Sequence, residues 1–472
     1  MKADAESELR SSMSAALGLG AAEVGIVGDA TLDSAYPVSD LATASVATVA
    51  VATAQLCEAL GFADSAASVD RALVDAWFGV ALTPVGWSLP SPWDAIAGDY
   101  AAVDGWIRLH TNAPHHRAAA LRVLGVEGER EHVAGAVARW RAAELEEAVV
   151  TEGGCAAMLH TPEEWASHPQ GAAVAGEPLV AVEFGERDAS QRDASHRDAS
   201  QRDASQRDAA QSRWDPSPPR PLAGLRVLDL TRVLAGPVAT RVLAGLGADV
   251  LRIDPPGWDE PGAVPDMTIG KRAARLDARD PAGRDTLLGL LAGADVLVHG
   301  YRSDALEHLG FGAAVRRETR PGLIDVALDA YGWTGPWSGR RGFDSLVQMS
   351  SGIAGRGLRS GTADRPTPLP VQALDHSTGY LMAAAVIAGL TRRVVDGSAS
   401  VARLSLARTA AELERVSSLP AQPLGIRTSH SGTPLNTPWG AATVLPSPFA
   451  VGNVRLRWDR GPRPLGSDAP AW

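Results

Sequence analysis

The feature that most constrains this chain is the alternation of short apolar runs with helical stretches after residue 220. "GLRVLDL" reads as a buried strand and "TRVLAGP" as a turn. "VATRVLAGLGA" reads as a helix, with Pro237 suited to its start. "DVLRID" is a second strand, "DVLVHGY" a third and "LIDVALDAYG" a fourth. "DPAGRDTLLGLLAGA" predicts a helix with Asp280 as N-cap and Pro281 at the first helical position. Strands that alternate with helices need crossover connections. The expected fold is therefore α/β, with a doubly wound, Rossmann-like parallel sheet in a large domain.

A five-residue repeat, "RDASQ RDASH RDASQ RDASQ RDAAQ", occupies residues 187–211. It has no hydrophobic face and its opposite charges cancel, so it cannot bury enough apolar area to fold alone. It reads as a solvated linker or a charged helical spacer, and "WDPSPPRP" is expected to close it in extended form. Before the repeat, "DGWIRLHTNAPHHRAAALRVLGV" suggests a strand and then a helix. "VARWRAAELEEAVV" suggests one amphipathic helix, and Thr161 with Glu164 forms a capping-box pattern. The predicted division is a smaller α+β domain at residues 1–186, a linker at 187–220 and the large domain at 221–472.

The net charge of −11 argues against a broad nucleic-acid surface. Cys57 and Cys155 offer neither a disulfide framework nor metal-ligand spacing, so a reduced, cytoplasmic setting is expected. "LATASVATVAVATAQL" and "YLMAAAVIAGL" are too short or too rich in Thr and Ser to span a bilayer, and "MKADAESELR" is unlike a signal peptide. No membrane partner is expected. His110, His115 and His116 in "HTNAPHHR" read as surface histidines, because no carboxylate or cysteine stands at matching spacing; no metal site is expected.

Strand, turn, helix and a second strand ending in Asp254 invite a dinucleotide reading. Such sites need G-x-G-x-x-G at the turn, and this turn has only Gly236. Dinucleotide binding is therefore disfavoured, yet the carboxyl ends of the strands still form the expected ligand crevice. Its predicted lining is residues 232–237, residues 255–257, Tyr301, Arg302 and Tyr331.

Four spaced blocks carry a family resemblance, in order, from Pro221 to about Arg408. They are "PLAGLRVLDLTRVLAGPVATRVLAGLGADVLRIDPPG", "GKRAARLDARDPAGRDTLLGLLAGADVLVHGYRSDALEHLGF", "GFDSLVQMSSGIAG" and "LPVQALDHSTGYL". Together they resemble the type III CoA-transferases, the formyl-CoA and carnitine CoA-transferase-like proteins. The region before the repeat is similar to that family's smaller domain, which in the family follows the large one. The reversed order is that of a circular permutation, or of a duplication with lost parts. The resemblance implies a homodimer, and the reversed order leaves its interlocking open.

In "PLPVQALDHSTGYLMAAAVIAGL", residues 369–374 read as a strand and a helix follows, with Asp375 between them. Asp375 suits an N-cap. The resemblance implies that it is the catalytic aspartate, a nucleophile toward an acyl-CoA thioester. A helix N-terminus would favour its anion by ~0.3–1 kcal/mol. The resemblance also implies CoA contacts at Arg232 and Val233, with Ala235 beside them, and nucleotide contacts at Lys271 and Arg272. Tyr301 and Ala305 fall on the adenine side and Tyr331 near the pantetheine arm. Backbone N–H groups near Ala235, Gly236 or Gly352 are candidate oxyanion donors. CoA and acyl-CoA enter as substrates, with a small carboxylic acid as acceptor and no permanently bound cofactor. Leu234 stands where formyl-CoA transferases carry Gln, so oxalate or formate is not expected; "RSD" at 302–304 replaces the family's "RPG".

Two rival readings stand beside this one. Related α-methylacyl-CoA racemases use the His of a "GHD" block, where this chain has Gly342, Phe343 and Asp344. His376 could be invoked instead but reads as a capping-region histidine. The other rival is a CoA-binding protein without turnover.

Overall fold

The computed structural model describes residues 4–187, 214–301, 305–422, 424–425 and 430–472. Seven strands form the central sheet: β1 (Ala181–Arg187), β2 (Arg226–Leu230), β3 (Asp249–Asp254), β4 (Arg272–Arg275), β5 (Val296–His299), β6 (Ile324–Asp329) and β7 (Ser398–Ser405). Their order is β4-β3-β2-β5-β6-β7-β1. All neighbours from β4 to β7 are parallel; in register, Val227 of β2 pairs with Val250 of β3 and Val296 of β5. β2, β5 and β6 are buried almost throughout, as parallel strands covered on both faces must be. The chain runs outward from β2 through β3 to β4, then crosses to the other side of β2 for β5, β6 and β7. The β2/β5 boundary is thus the topological switch point of a doubly wound sheet.

The four strands expected from the sequence are present, and β4 and β7 extend them. The helix after β2 (α2, Ala235–Gly245) and the helix before β5 (α3, Pro281–Ala292) are also as expected, with Asp280 at the cap position of α3.

The predicted domain division does not separate two cores. β1 precedes the repeat yet pairs antiparallel with β7. The 22-residue helix α1 (Val38–Ala59) packs against the 24-residue helix α5 (Ala373–Asp396), and one hydrophobic core joins residues 5–78 to the sheet. α1 is long and apolar enough to cross a membrane, but 94% of its most apolar window is buried inside the protein. The hydroxyls of Thr43, Ser45, Thr48 and Thr53 return to helix carbonyls, for example Thr48 Oγ1 to Ala44 O at 2.8 Å, and Ser39 Oγ donates to Asp75 Oδ2 at 2.6 Å, so they can be buried. At the C-terminal end, Phe449–Val451 pairs with Ala67–Asp70.

The smaller α+β unit is shorter than expected. Its sheet joins Gly98–Ala101, Trp106–Leu109 and Ala156–Met158, with a core of its own between Ile96 and Ala156. The single helix expected at 137–150 is two, Arg130–Val137 and Ala142–Thr151, because Asp104 Oδ1 accepts the Ala142 N–H at 2.9 Å and starts a new helix. The capping box is present: Glu164 N donates to Thr161 Oγ1 at 3.1 Å, and Thr161 N to Glu164 Oε2 at 2.7 Å. Residues 188–213, most of the repeat, lie outside the described residues. "WDPSPPRP" is a turn rather than an extended segment, since Arg220 N donates to Ser217 O at 2.9 Å and Trp214 Nε1 to Pro221 O at 2.8 Å.

Candidate active site

A cleft of about 650 Å³ opens at the carboxyl ends of β2, β3, β5 and β6, over the switch point. The turn after β2 forms one wall. Val233 there has φ 66°, a left-handed conformation that costs a β-branched residue of order 1–3 kcal/mol. The strain is held by a buried network. Val233 N donates to Glu260 Oε2 at 2.8 Å, Glu260 pairs with Arg252, and Arg252 is bidentate to Asp254 at 2.9 Å per bond. The Arg232 guanidinium lies 4.8 Å from the Trp258 ring and 5.1 Å from the Tyr301 ring. Arg232, Val233, Ala235, Tyr301 and Ala305 all line the cleft.

Asp375 lines it too and is 8% exposed. It is neither a cap nor the first residue after a strand. Residues 369–372 form no strand, α5 starts at Ala373, and Gln372 is the N-cap residue. The amides at the helix start serve another carboxylate. Asp344, the first residue of α4 (Asp344–Ser350), accepts from Leu374 N at 2.9 Å and Asp375 N at 3.0 Å through Oδ2. Asp375 lies in the first turn of α5, but the amides there bond Asp344 rather than the Asp375 carboxyl. Burial, and then the Asp344 charge, raise its pKa well above the usual carboxylate range. Sequence reasoning weighed Asp344 only as part of "GFD". Its link to Asp375 spans 31 residues and has no local signature.

Three predicted site residues lie elsewhere. Lys271 is fully buried; its Nζ donates to Thr240 Oγ1 at 2.6 Å and Pro237 O at 3.0 Å, and pairs with Asp229 at 3.1 Å. It braces strand β2 against α2 and cannot reach a nucleotide in the cleft. Arg272 pairs with Asp249 at 3.0 Å, at the sheet edge opposite the strands' carboxyl ends. Tyr331 is buried under the floor, its hydroxyl 3.2 Å from Ser350 Oγ and its ring 5.1 Å from Trp337. Arg302 and the "RSD" loop lie outside the described residues. Of the candidate oxyanion donors, Ala235 and Gly236 line the cleft, whereas Gly352 packs against Thr161 and Pro162.

The histidines are not surface residues as a group. His115 and His116 line the cleft from the small unit, and His116 Nε2 lies 3.6 Å from Cys155 Sγ. His110 is buried with its ring stacked 3.7 Å from Phe343. Burial first, then neighbouring cations, push His110 and His116 down to about 3. No cluster of three metal-binding side chains occurs among the described residues. His376 packs on Phe78 at 5.0 Å, away from the cleft, and burial pushes it down to about 3. Cys57 and Cys155 are both free and buried.

Residues 222–432 match the model of CoA-transferase family III. The chain is 33% identical over 218 residues to a probable fatty acyl-CoA transferase of Mycobacterium tuberculosis, covering 42% of this chain and 53% of that one. It is 34% identical over 192 residues to the human succinyl-CoA:glutarate CoA-transferase, covering 38% and 43%. A crystal structure of a M. tuberculosis protein, 32% identical, matches 43% of this chain and 57% of its own, with a TM-score of 0.39. The chain spans about half the length of the curated relatives it matches.

Proposed function

We propose that this protein moves CoA from an acyl-CoA donor to a small carboxylic acid, with Asp375 as nucleophile. The observation that carries the reading is the place of Asp375: at the switch-point cleft, within the segment that matches the family. Ionised Asp375 attacks the thioester carbonyl. The C–S bond breaks, giving an aspartyl-acyl anhydride and CoA thiolate. The thiolate attacks the aspartyl carbonyl and releases the donor acid, leaving an aspartyl-CoA thioester. The acceptor carboxylate repeats the two steps in reverse. Ala235 and Gly236, whose backbone borders the cleft, are the oxyanion donors in this scheme. Arg232, between Trp258 and Tyr301, is the phosphate contact.

Phe343 in the cleft wall and His376 packed away from it support transfer over racemisation. The unpaired thiols suit a cytoplasmic setting, which we include in the proposal with a homodimer and no nucleic-acid or membrane partner. The test is incubation with an acyl-CoA and an isotopically labelled acceptor acid in deuterated water. Label in the thioester pool, lost in Asp375→Ala, is the expected result. Deuterium uptake at the α-carbon without exchange would replace the reading with racemisation. Binding without either would leave a CoA-binding protein.

A further inference from the structure

Asp344 is completely buried, and three N–H donors converge on it. Leu374 N and Asp375 N reach Oδ2, while Gln348 Nε2 reaches Oδ1. Gln348 is oriented in turn by its Oε1, which accepts from Leu369 N at 2.8 Å. A carboxyl surrounded only by donors is best matched as the ionised, acceptor-only form. Among the described residues no donor is seen at the Asp375 carboxyl, so the proton of this buried pair belongs on Asp375.

We propose that Asp344 is a positioning residue for Asp375: it pins the first turn of α5 beside the cleft, and its negative charge opposes loss of the Asp375 proton. This rests on the reading of Asp375 as nucleophile. Other charged groups surround the pair. Arg108 of the small unit acts on Asp344. Asp329 at the end of β6 and Arg232, His115, His116, Arg340 and Arg341 share the cleft with Asp375. Arg241 of α2 acts on His376, on the far side of α5. The shifts agree with this placement. Burial against three donors raises Asp344 only to about 6, whereas burial plus the Asp344 charge raise Asp375 well above its ordinary value.

The chemical consequence is a proton that must leave before attack. The Asp375 O–H bond breaks, its oxygen bonds the acyl carbon, and the C–S bond breaks. The Asp375 proton goes to solvent before attack and CoA leaves as the thiolate: carboxylate plus thioester gives anhydride plus thiolate. Acylation of Asp375 should therefore rise with pH.

The test is isotope-edited infrared titration of 13C-aspartate in the full chain, wild type against Asp344→Asn, with hydroxylamine trapping of the acyl adduct across pH. Asp344→Asn should lower the ionisation midpoint of Asp375 by a pH unit or more. At acid pH, trapping relative to its plateau should then rise about tenfold. Because Asp375 keeps its proton while Asp344 titrates, Asp375→Asn should leave the Asp344 midpoint in place; a fall would put the shared proton on Asp344 and overturn the inference, and this variant decides alone if Asp344→Asn does not fold. A purely structural role would lower the trapping plateau at every pH and leave the midpoint in place, which overturns the inference, as would a higher midpoint. If the midpoint falls while the wild type forms no adduct, the role of Asp344 stands and the transfer reading falls.

Discussion

Lys271→Met separates a structural lysine from a nucleotide-binding one. The ammonium is fully buried, and burial pushes it down to about 8 against the pull of Asp229. Removing it leaves Asp229 buried without its cation. Breaking one partner of a buried pair costs about 3–5 kcal/mol. Asp229 keeps Thr231 N at 2.9 Å, Thr231 Oγ1 at 2.5 Å and Thr240 Oγ1 at 2.5 Å, which places the loss near the lower end, about 3 kcal/mol. Adding Asp229→Asn removes the uncompensated charge and should restore roughly 1–2 kcal/mol. Urea unfolding followed by circular dichroism reads both changes. Titration calorimetry with CoA should show at most a few-fold change in Kd, because Lys271 does not border the cleft. Unaltered stability together with tenfold weaker CoA binding would refute this placement and restore the nucleotide contact implied by "GKR".

Gly379→Ala should be severely destabilising. A Cβ there would lie 2.3 Å from the Ala235 carbonyl and 2.9 Å from Val238 Cβ, where α5 crosses α2. A loss of about 3 kcal/mol in thermal unfolding is expected, and a neutral effect would contradict the crossing. Arg232→Ala should weaken CoA binding about tenfold with little change in unfolding midpoint, read by calorimetry. His376→Phe tests the buried neutral imidazole. With a folded value of about 3, His376 takes up its proton at intermediate acid pH only in the unfolded chain. Its contribution to stability therefore falls as pH drops from about 6.5 toward 3. The variant should flatten the stability slope across that window by about 1.4 kcal/mol per pH unit, measured by denaturant midpoints, and an unchanged slope would contradict the burial.

The sheet was legible in the chain because parallel strands buried on both faces write themselves as continuous apolar runs, as in "GLRVLDL" and "DVLVHGY". β4, "RAAR", is hidden because arginines flank its two buried alanines. α1 was hidden as part of the core because its hydroxyl-rich face is satisfied within the helix, which no hydropathy window reports. The domain boundary failed for a related reason. The repeat marks a break in the chain, whereas core membership depends on which helices meet, and α1 meets α5 from the far side of that break. The places of Arg232, Val233, Tyr301 and Asp375 along the cleft were legible because strand ends locate them locally. Lys271 and Tyr331 were not, since a motif carries residue order but not whether a side chain points into a cleft or beneath it. Asp344 was invisible because its partner is a backbone amide on another helix.

The central claim is a covalent bond at one side chain. The protein would be incubated with an acyl-CoA, quenched with hydroxylamine, digested and read by mass spectrometry. The account predicts a hydroxamate on Asp375, absent when the acyl-CoA is omitted. CoA exchange by a protein whose Asp375 peptide stays unmodified, or whose adduct sits on another residue, would contradict it.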